Sequence, residues 1–112
     1  MENIQEKIPL NLVRLRIESE KLEKSAYILR AVSHPIRIAI IDLLDQCEAG
    51  MSVSDMQSKL NIEQALLSHH LGKMRDKGVL TVRREGKNMF YALKDRNIVN
   101  IVHCIQNCSN KL

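Results

Sequence analysis

A β-hairpin pattern lies near the C-terminal end of this sequence, and the other patterned segments are helical. Residues 79–93, VLTVRREGKNMFYAL, alternate between apolar and polar side chains, and the alternation is interrupted at Glu85-Gly86. Alternation with a period of two is typical of strands, and a turn signal between two such runs indicates a hairpin. The chain of 112 residues is short enough to be one small domain, predicted over residues 1–112.

The first helix is predicted over about residues 9–32. Pro9 suits the first turn of a helix, and Ser19 is the one polar member of a stripe at helical spacing that otherwise contains Ile8, Leu12, Leu15, Leu22, Ala26 and Leu29. This stripe either covers the core of its own chain or pairs with a second copy as a dimer arm. The sequence leaves both interpretations open, because so small a chain often completes its core by pairing.

The second helix is predicted to begin at Pro35. A proline biases the residue before it, His34, away from helical dihedrals and is itself favoured at the first helical position. The apolar face of this helix consists of Ile36, Ile40, Leu43, Leu44 and Cys47. Gly50 is expected to close the helix.

Two shorter helices follow and are joined by a brief turn. Ser52, with Asp55 three residues later, resembles a capping box that opens a third helix extending through Leu60. The fourth helix is predicted over about residues 64–77, with Gly78 in the usual stop position. The pair therefore has the form of a helix-turn-helix.

The last helix is predicted from about Asp95, which is a plausible cap. Its apolar stripe contains Ile98, Ile101, Val102, Ile105 and Cys108. The predicted fold class is mainly α with a small β-hairpin, in the order α1-α2-α3-α4-β-hairpin-α5, which is the order of a winged helix-turn-helix. The predicted parts are a helix-turn-helix over about 52–77, a wing over about 79–93, and dimerisation helices over about 9–32 and 95–110.

The fourth helix is predicted to present a polar face made of unusually short side chains, which we call the low face. Placing Leu67, Leu71 and Met74 toward the core leaves an opposite face of Ala65, Ser68, His69, Gly72 and Asp76, flanked by Gln64 and Lys73. A solvated face usually carries long charged side chains, whereas these are short. Such a face lets a helix backbone approach a partner closely, and the major groove of DNA admits a helix. Gln64, Ser68 and His69 can hydrogen-bond base edges or phosphates.

The adjacent histidines of this helix are predicted to do different jobs. Neighbours on a helix point about 100° apart, so His69 and His70 cannot both face one metal ion. His69 falls on the polar face as a candidate DNA contact. His70 falls at the rim of the core, and we expect it to be packed or half-buried. Neither is expected to ligate a metal.

The distribution of charge favours duplex DNA as the partner. The net charge is +4, and the stretch 73–87 carries Lys73, Arg75, Lys77, Arg83, Arg84 and Lys87. Binding of single strands relies on aromatic platforms, but the chain has only two tyrosines and one phenylalanine.

The location is expected to be cytoplasmic. The sequence has no apolar run near the roughly 18 residues of a membrane span, and residues 1–7 are too polar for a signal peptide. Its three cysteines, an odd number without secretory features, are predicted to be free thiols.

Three segments together resemble the ArsR/SmtB family of bacterial winged-helix repressors: LRAVSHPIRIAIIDLL, SVSDM and LLSHHLGKMRDKGVLTVRREGKNMFYAL. The similarity covers about residues 28–93. It implies a homodimer that pairs through its first and last helices, binds an inverted-repeat operator and is released by an inducer. By motif match it places Gln64, Ala65, Ser68 and His69 on the recognition helix and Arg83, Arg84 and Lys87 on the wing.

The known inducer sites of that family are not matched. The C-V-C-D motif of its arsenic- and cadmium-type members is Ser52-Val53-Ser54-Asp55 here, and hydroxyls are poor ligands for a soft metal. The last-helix zinc site would need a histidine where Asn97 stands and a ligand where Lys111 stands. In the thiol-switch branch, the first cysteine would fall near Asp42, five residues before Cys47.

Cys104 and Cys108 remain as the candidate sensor. They lie at i and i+4 on the last helix, so they can act together as soft-metal ligands or reactive thiols, although burial as small apolar residues explains them as well. No cofactor is expected unless a soft metal or a thiol modification occurs at this pair. Cys47 is expected to be part of the core.

Two other classes of function stay open beside a DNA-binding regulator. A winged-helix protein-interaction module would explain the fold and the dimer arms but not the cluster of cations. An enzyme is disfavoured because the sequence has neither a phosphate-binding loop nor a nucleophile–base pair, and adjacent His103 and Cys104 diverge on a helix.

Overall fold

The computed structural model describes residues 17–111, and its helices and hairpin follow the predicted order, with one additional short strand. The helices are α1 (Ser19–Val32), α2 (Pro35–Asp45), α3 (Val53–Leu60), α4 (Gln64–Asp76) and α5 (Ile98–Lys111). The strands are β1 (Met51–Ser52), β2 (Leu80–Glu85) and β3 (Asn88–Leu93). The fold is therefore a winged helix-turn-helix, as predicted.

The hairpin of β2 and β3 belongs to a three-stranded antiparallel sheet of order β1-β3-β2. Glu85 pairs with Asn88, which leaves a two-residue loop that begins at Gly86, with a φ of 64°. A glycine with positive φ at the first loop position is typical of a type II′ turn. The short strand β1 was not predicted, and it pairs Met51 with Tyr91 of β3.

One core joins the helices to the sheet. The largest side chains with almost no exposure come from α2, α3 and α4: Ile40, Ile41, Leu44, Met56, Leu67, Leu71 and Met74. The sheet adds Leu80 and Tyr91, and α5 adds Ile98, Val99 and Val102. The fourth helix is thus held from one side by its predicted core residues, which fixes the face that it presents outward.

Two predicted boundaries in the first two helices are wrong. Ile17 and Glu18 are not helical, and α1 begins at Ser19, while Pro9 and the stripe before it lie outside the described residues. Gly50 does not close α2, which ends at Asp45. Gly50 instead precedes β1 with a φ of 98°. A Cβ atom on Gly50 would come within 2.9 Å of the Tyr91 carbonyl oxygen.

The last helix also begins later than predicted. Asp95 caps a turn rather than the helix, because its carboxylate accepts a hydrogen bond from the backbone N–H of Asn97 at 2.9 Å. The next backbone bonds span three residues, such as Val99 N–H to the Arg96 carbonyl, and α5 starts at Ile98. Arg96 in turn donates to the Asp45 carboxylate at 2.7 Å, which ties this turn to the end of α2.

Candidate nucleic-acid interface

The two helices of the helix-turn-helix begin and end where local signals place them. The Ser52 hydroxyl accepts a hydrogen bond from the Asp55 N–H at 3.1 Å and caps α3. Asn61 ends α3 in the left-handed conformation, with a φ of 55°. The residues up to Glu63 then form the turn into α4, which stops before Gly78, whose φ is 82°. The predicted bounds of both helices are confirmed.

The side chains of α4 separate into a buried and an exposed set. Leu67, Leu71 and Met74 have no exposed surface, and His70 is 4% exposed. All five residues predicted as DNA contacts on this helix are exposed: Gln64, Ala65, Ser68, His69 and Lys73. The structure thus brings these candidates together on the outward side of one helix.

Gly72 lies half-buried on this helix. A Cβ atom added there would meet nothing within 4 Å beyond the helix's own backbone and the two chain neighbours. Its φ is not in the left-handed region, so neither packing in the described residues nor dihedral strain requires a glycine. Glycine costs up to about 1 kcal/mol relative to alanine in a helix, and a close external approach would explain why it stands here.

The two adjacent histidines have the separate environments predicted for them. His69 is exposed, whereas the Nδ1 atom of His70 accepts a hydrogen bond from Nε of Arg37 at 3.0 Å. The His70 ring also lies 4.3 Å from the ring of His34, centroid to centroid. Burial lowers the pKa of His70 below its ordinary value of 6.5, and the positive charges of His34, Arg37 and His69 lower it further. His70 is therefore neutral at pH 7 and structural.

Arg37 anchors His70, and no sequence pattern indicated this role for it. Its Nη1 donates to the Ala31 carbonyl at 3.0 Å while its Nε donates to His70. One half-buried side chain therefore links the last turn of α1 to the middle of α4. The sequence feature that could have indicated this role is an arginine among the apolar residues in the first turns of α2, within the segment SHPIR.

The cations of the wing differ in whether they form an ion pair within the fold. The Arg83 guanidinium binds the Glu85 carboxylate at 2.7 Å, donates to the Ala49 carbonyl, and lies over the Phe90 ring at 4.8 Å. It therefore braces the wing against the loop that precedes β1. Arg84 and Lys87 are exposed and form no ion pair within residues 17–111.

The candidate sensor cysteines are not buried within the chain. Cys104 and Cys108 are both exposed, so neither packs against the core of its own chain. The core side of α5 is narrower than its apolar stripe and consists of Ile98, Val99 and Val102. Cys47 is half-buried against the core, as expected, and all three thiols are free.

Within the part of the chain that the structure describes, no three histidine, cysteine, aspartate or glutamate side chains come close enough together to hold a metal ion. No helix there is long and apolar enough to cross a membrane.

Comparison with known proteins matches the same region of the chain. Residues 32–83 fit the family model of a helix-turn-helix domain. A biofilm growth-associated repressor from Agrobacterium fabrum is 30% identical over 99 residues, which cover 87% of this chain and 83% of that protein. The repressor SmtB from Mycobacterium tuberculosis is 35% identical over 83 residues, covering 74% of this chain and 60% of SmtB.

Solved structures agree with the fold. The transcriptional repressor PagR of Bacillus anthracis superposes with a TM-score of 0.69 at 30% identity, over 79% of this chain and 99% of PagR. The homodimeric winged helix-turn-helix domain of Mb0332 from Mycobacterium bovis, described as a possible ArsR-family regulator, superposes with a TM-score of 0.70 at 19% identity, over 88% and 89% of the two chains. These relatives are regulators with a DNA-binding fold and are not enzymes. This chain therefore belongs to the ArsR/SmtB family of winged helix-turn-helix, DNA-binding transcriptional regulators.

Proposed function

We propose that this protein is a sequence-specific repressor that binds duplex DNA with α4 in the major groove and the wing beside it. The observation that carries the proposal is the exposed low face of α4, opposite the buried Leu67, Leu71 and Met74. The direction of regulation follows from the relatives, which are named as repressors.

The exposed residues divide by the contacts that their chemistry allows. Gln64, Ser68 and His69 can hydrogen-bond base edges, and Ala65 lets the helix approach closely. The cations Lys73, Arg84 and Lys87 suit phosphates, which position the protein without reading the sequence. Arg83 also remains a candidate contact, although its guanidinium is already engaged within the fold.

The test is a duplex-binding assay on the DNA upstream of the protein's own gene and on a random duplex. We expect Ser68→Ala and His69→Ala to weaken binding to the upstream DNA by about 1–3 kcal/mol more than binding to the random duplex. His103→Ala, an exposed histidine on α5, is the matched control and should leave both affinities unchanged. A protein-interaction module would instead show no salt-dependent affinity for either duplex.

We further propose that the protein is a homodimer that recognises an inverted repeat. Large apolar side chains are exposed on α1, α2 and α5: Tyr27, Leu29, Ile38, Ile101 and Ile105. All five line two adjoining grooves, and the larger groove, between α1, α2 and α5, is about 570 Å³. A second copy paired there would cover this surface, and the Mb0332 domain, which has a similar fold, is homodimeric. A twofold dimer can present two recognition helices to half-sites about 34 Å apart.

The dimer is tested by adding charge to one side of α5. Ile101→Glu with Ile105→Glu should give a monomer in sedimentation at micromolar concentration and should abolish binding to the upstream duplex. Asn100→Glu with Asn107→Glu adds the same charge to exposed positions on the other side of the helix and should leave the dimer intact. Wild type that sediments as a monomer would contradict the proposal.

We propose that Cys104 and Cys108 form the site at which an inducer acts. Both thiols are exposed, and each lies three residues after an isoleucine of the proposed dimer surface, Ile101 and Ile105. A ligand or a modification there would change how the α5 helices pair, and hence the spacing of the two recognition helices. Thiolates favour soft metals, oxidants and reactive sulfur over magnesium or calcium.

The sensor is tested with Cys104→Ser plus Cys108→Ser, measuring release from the upstream duplex by cadmium, arsenite, peroxide and persulfide. We expect wild type to be released by at least one of these agents and the double variant by none. A wild type that responds to no agent would show that the cysteines only pack between protomers. A double variant that still responds would place the signal at Cys47 or at a site without thiols.

A further inference from the structure

Leu66 is an exposed leucine on a helix whose outward side is otherwise polar or small. It is 40% exposed. The other large apolar side chains exposed in residues 17–111 lie on α1, α2 and α5, or at Ile17 just before α1. Leu66 is the one on α4, and the surface proposed for dimerisation does not account for it.

Its position on α4 places it beside candidate DNA contacts. Leu66, His69 and Lys73 are spaced at i, i+3 and i+7, so they share one stripe of the helix. All three are exposed, whereas Leu67 and His70 between them are buried. Leu66 is also in the first turn of α4, and recognition helices contact base edges with their N-terminal residues.

The chemistry of the groove specifies what a leucine can contact there. Phosphates, and the donors and acceptors of the base edges, need polar partners, and the thymine C5-methyl group is the apolar feature of the major groove. We propose that Leu66 is a specificity-determining residue that packs against the methyl group of a thymine in each half-site. This inference rests on the proposed DNA-binding function and adds the base that this position reads.

The experiment removes the methyl group from the DNA and the side chain from the protein in separate steps. Duplexes that bind wild type are selected from a random library, and each thymine of the resulting consensus is replaced in turn by deoxyuridine. Deoxyuridine keeps every hydrogen-bonding group and lacks only the methyl. Affinities of wild type, Leu66→Ala and Leu66→Met are compared by competition, so that weak complexes are also ranked.

We expect one thymine per half-site at which deoxyuridine weakens wild-type binding about fourfold, the factor that corresponds to burying one methyl group. Leu66→Ala should bind the two duplexes equally, and Leu66→Met should keep most of the difference. Both duplexes are compared on the same preparation of each variant, so any loss of folded protein affects both affinities alike, which separates loss of the contact from loss of the fold.

The outcomes distinguish this inference from the function on which it rests. A wild type that selects a consensus but is insensitive to every deoxyuridine overturns the inference alone. An equal loss in wild type and Leu66→Ala also overturns it, because another residue then reads the methyl. Failure to enrich any sequence overturns both this inference and the proposed sequence-specific function.

Discussion

Nε of Arg37 donates a hydrogen bond to Nδ1 of His70 at 3.0 Å, which connects α2 to the recognition helix. A second bond, from Nη1 to the Ala31 carbonyl at 3.0 Å, connects the same guanidinium to α1. His70 must be unprotonated at Nδ1 to accept this bond. The orientation of α4 therefore depends on a neutral histidine that is adjacent to the exposed His69, with the two ring centroids 5.4 Å apart.

The first prediction concerns the pH dependence of stability. Burial, and then the charges of His34, Arg37 and His69, hold the pKa of His70 below 6.5 in the folded state. The unfolded chain therefore takes up this proton at a higher pH than the folded chain does. The contribution of neutral His70 to the free energy of unfolding is therefore complete above about pH 6.5. It is lost progressively as the pH falls toward the folded-state pKa of His70. Urea unfolding at a series of pH values below neutrality should show this decline.

His70→Asn supplies the comparison for that prediction, because an amide oxygen can accept from Arg37 but does not titrate. Its free energy of unfolding should change less with pH than that of wild type. His103→Asn, at an exposed position, should keep the wild-type slope. Identical slopes for His70→Asn and wild type would show that other groups cause the pH dependence.

The second prediction is a coupling between Arg37 and His70. Arg37→Met leaves the buried acceptors on His70 and Ala31 without donors, and we expect a loss of about 1–3 kcal/mol in the free energy of unfolding. His70→Leu leaves the Arg37 guanidinium without its acceptor. The double variant should lose less than the sum of the single losses, by about 0.5–3 kcal/mol. Strictly additive losses in urea unfolding would contradict the coupling.

The elements that sequence predicts well are those with local signals. Pro35 opens α2, the Ser52 hydroxyl caps α3, and glycines with positive φ follow α4 and begin the wing turn. Strand β1 has no such signal, because two residues cannot show alternation and Met51 pairs with Tyr91, forty positions later. The start of α5 was misplaced because the Asp95 carboxylate serves a preceding turn rather than the helix.

The site is predictable only in part, for a related reason. Helical spacing identifies which α4 side chains face outward; the five predicted DNA contacts among them are exposed, and Gly72 is half-buried. Spacing cannot show that Arg37 reaches His70, or that Arg83 reaches the Ala49 carbonyl, because these partners are more than thirty residues apart. Nor can it show which part of the α5 stripe covers the chain's own core, and so the spacing leaves open whether Cys104 and Cys108 are buried, whereas both are exposed.

The third prediction separates the wing cations by the salt dependence of binding. Arg84→Gln and Lys87→Gln should each reduce the slope of log affinity against log salt by about one on a random duplex, because each removes a phosphate contact. Arg83→Gln should change the slope less and should instead lower the free energy of unfolding by about 0.5–1.5 kcal/mol, because it removes hydrogen bonds to Ala49 and Glu85. A full unit of slope lost in Arg83→Gln with unchanged stability would make Arg83 a DNA contact rather than a brace.

The fourth prediction is that Gly72→Ala changes stability and DNA affinity in opposite directions. The added methyl group has room in the free protein, since nothing lies within 4 Å beyond the adjoining backbone. Alanine is the better helix former, so the free energy of unfolding should rise by up to about 1 kcal/mol. If the helix backbone approaches DNA at this point, the methyl group is overpacked in the complex, and binding should weaken by about 1–3 kcal/mol.

Asn107→Ala is the matched control for Gly72→Ala, because it also improves helix propensity at a position that is exposed on α5. It should raise stability by a few tenths of a kcal/mol, about the propensity difference between these residues, and leave binding to the upstream duplex unchanged. Urea unfolding and a duplex-binding assay on the same preparations measure both effects. If Gly72→Ala is stabilised and still binds as wild type does, the low face of α4 is not where DNA comes closest, and the contact assigned to Ser68 and His69 would have to be made at a greater distance or through water.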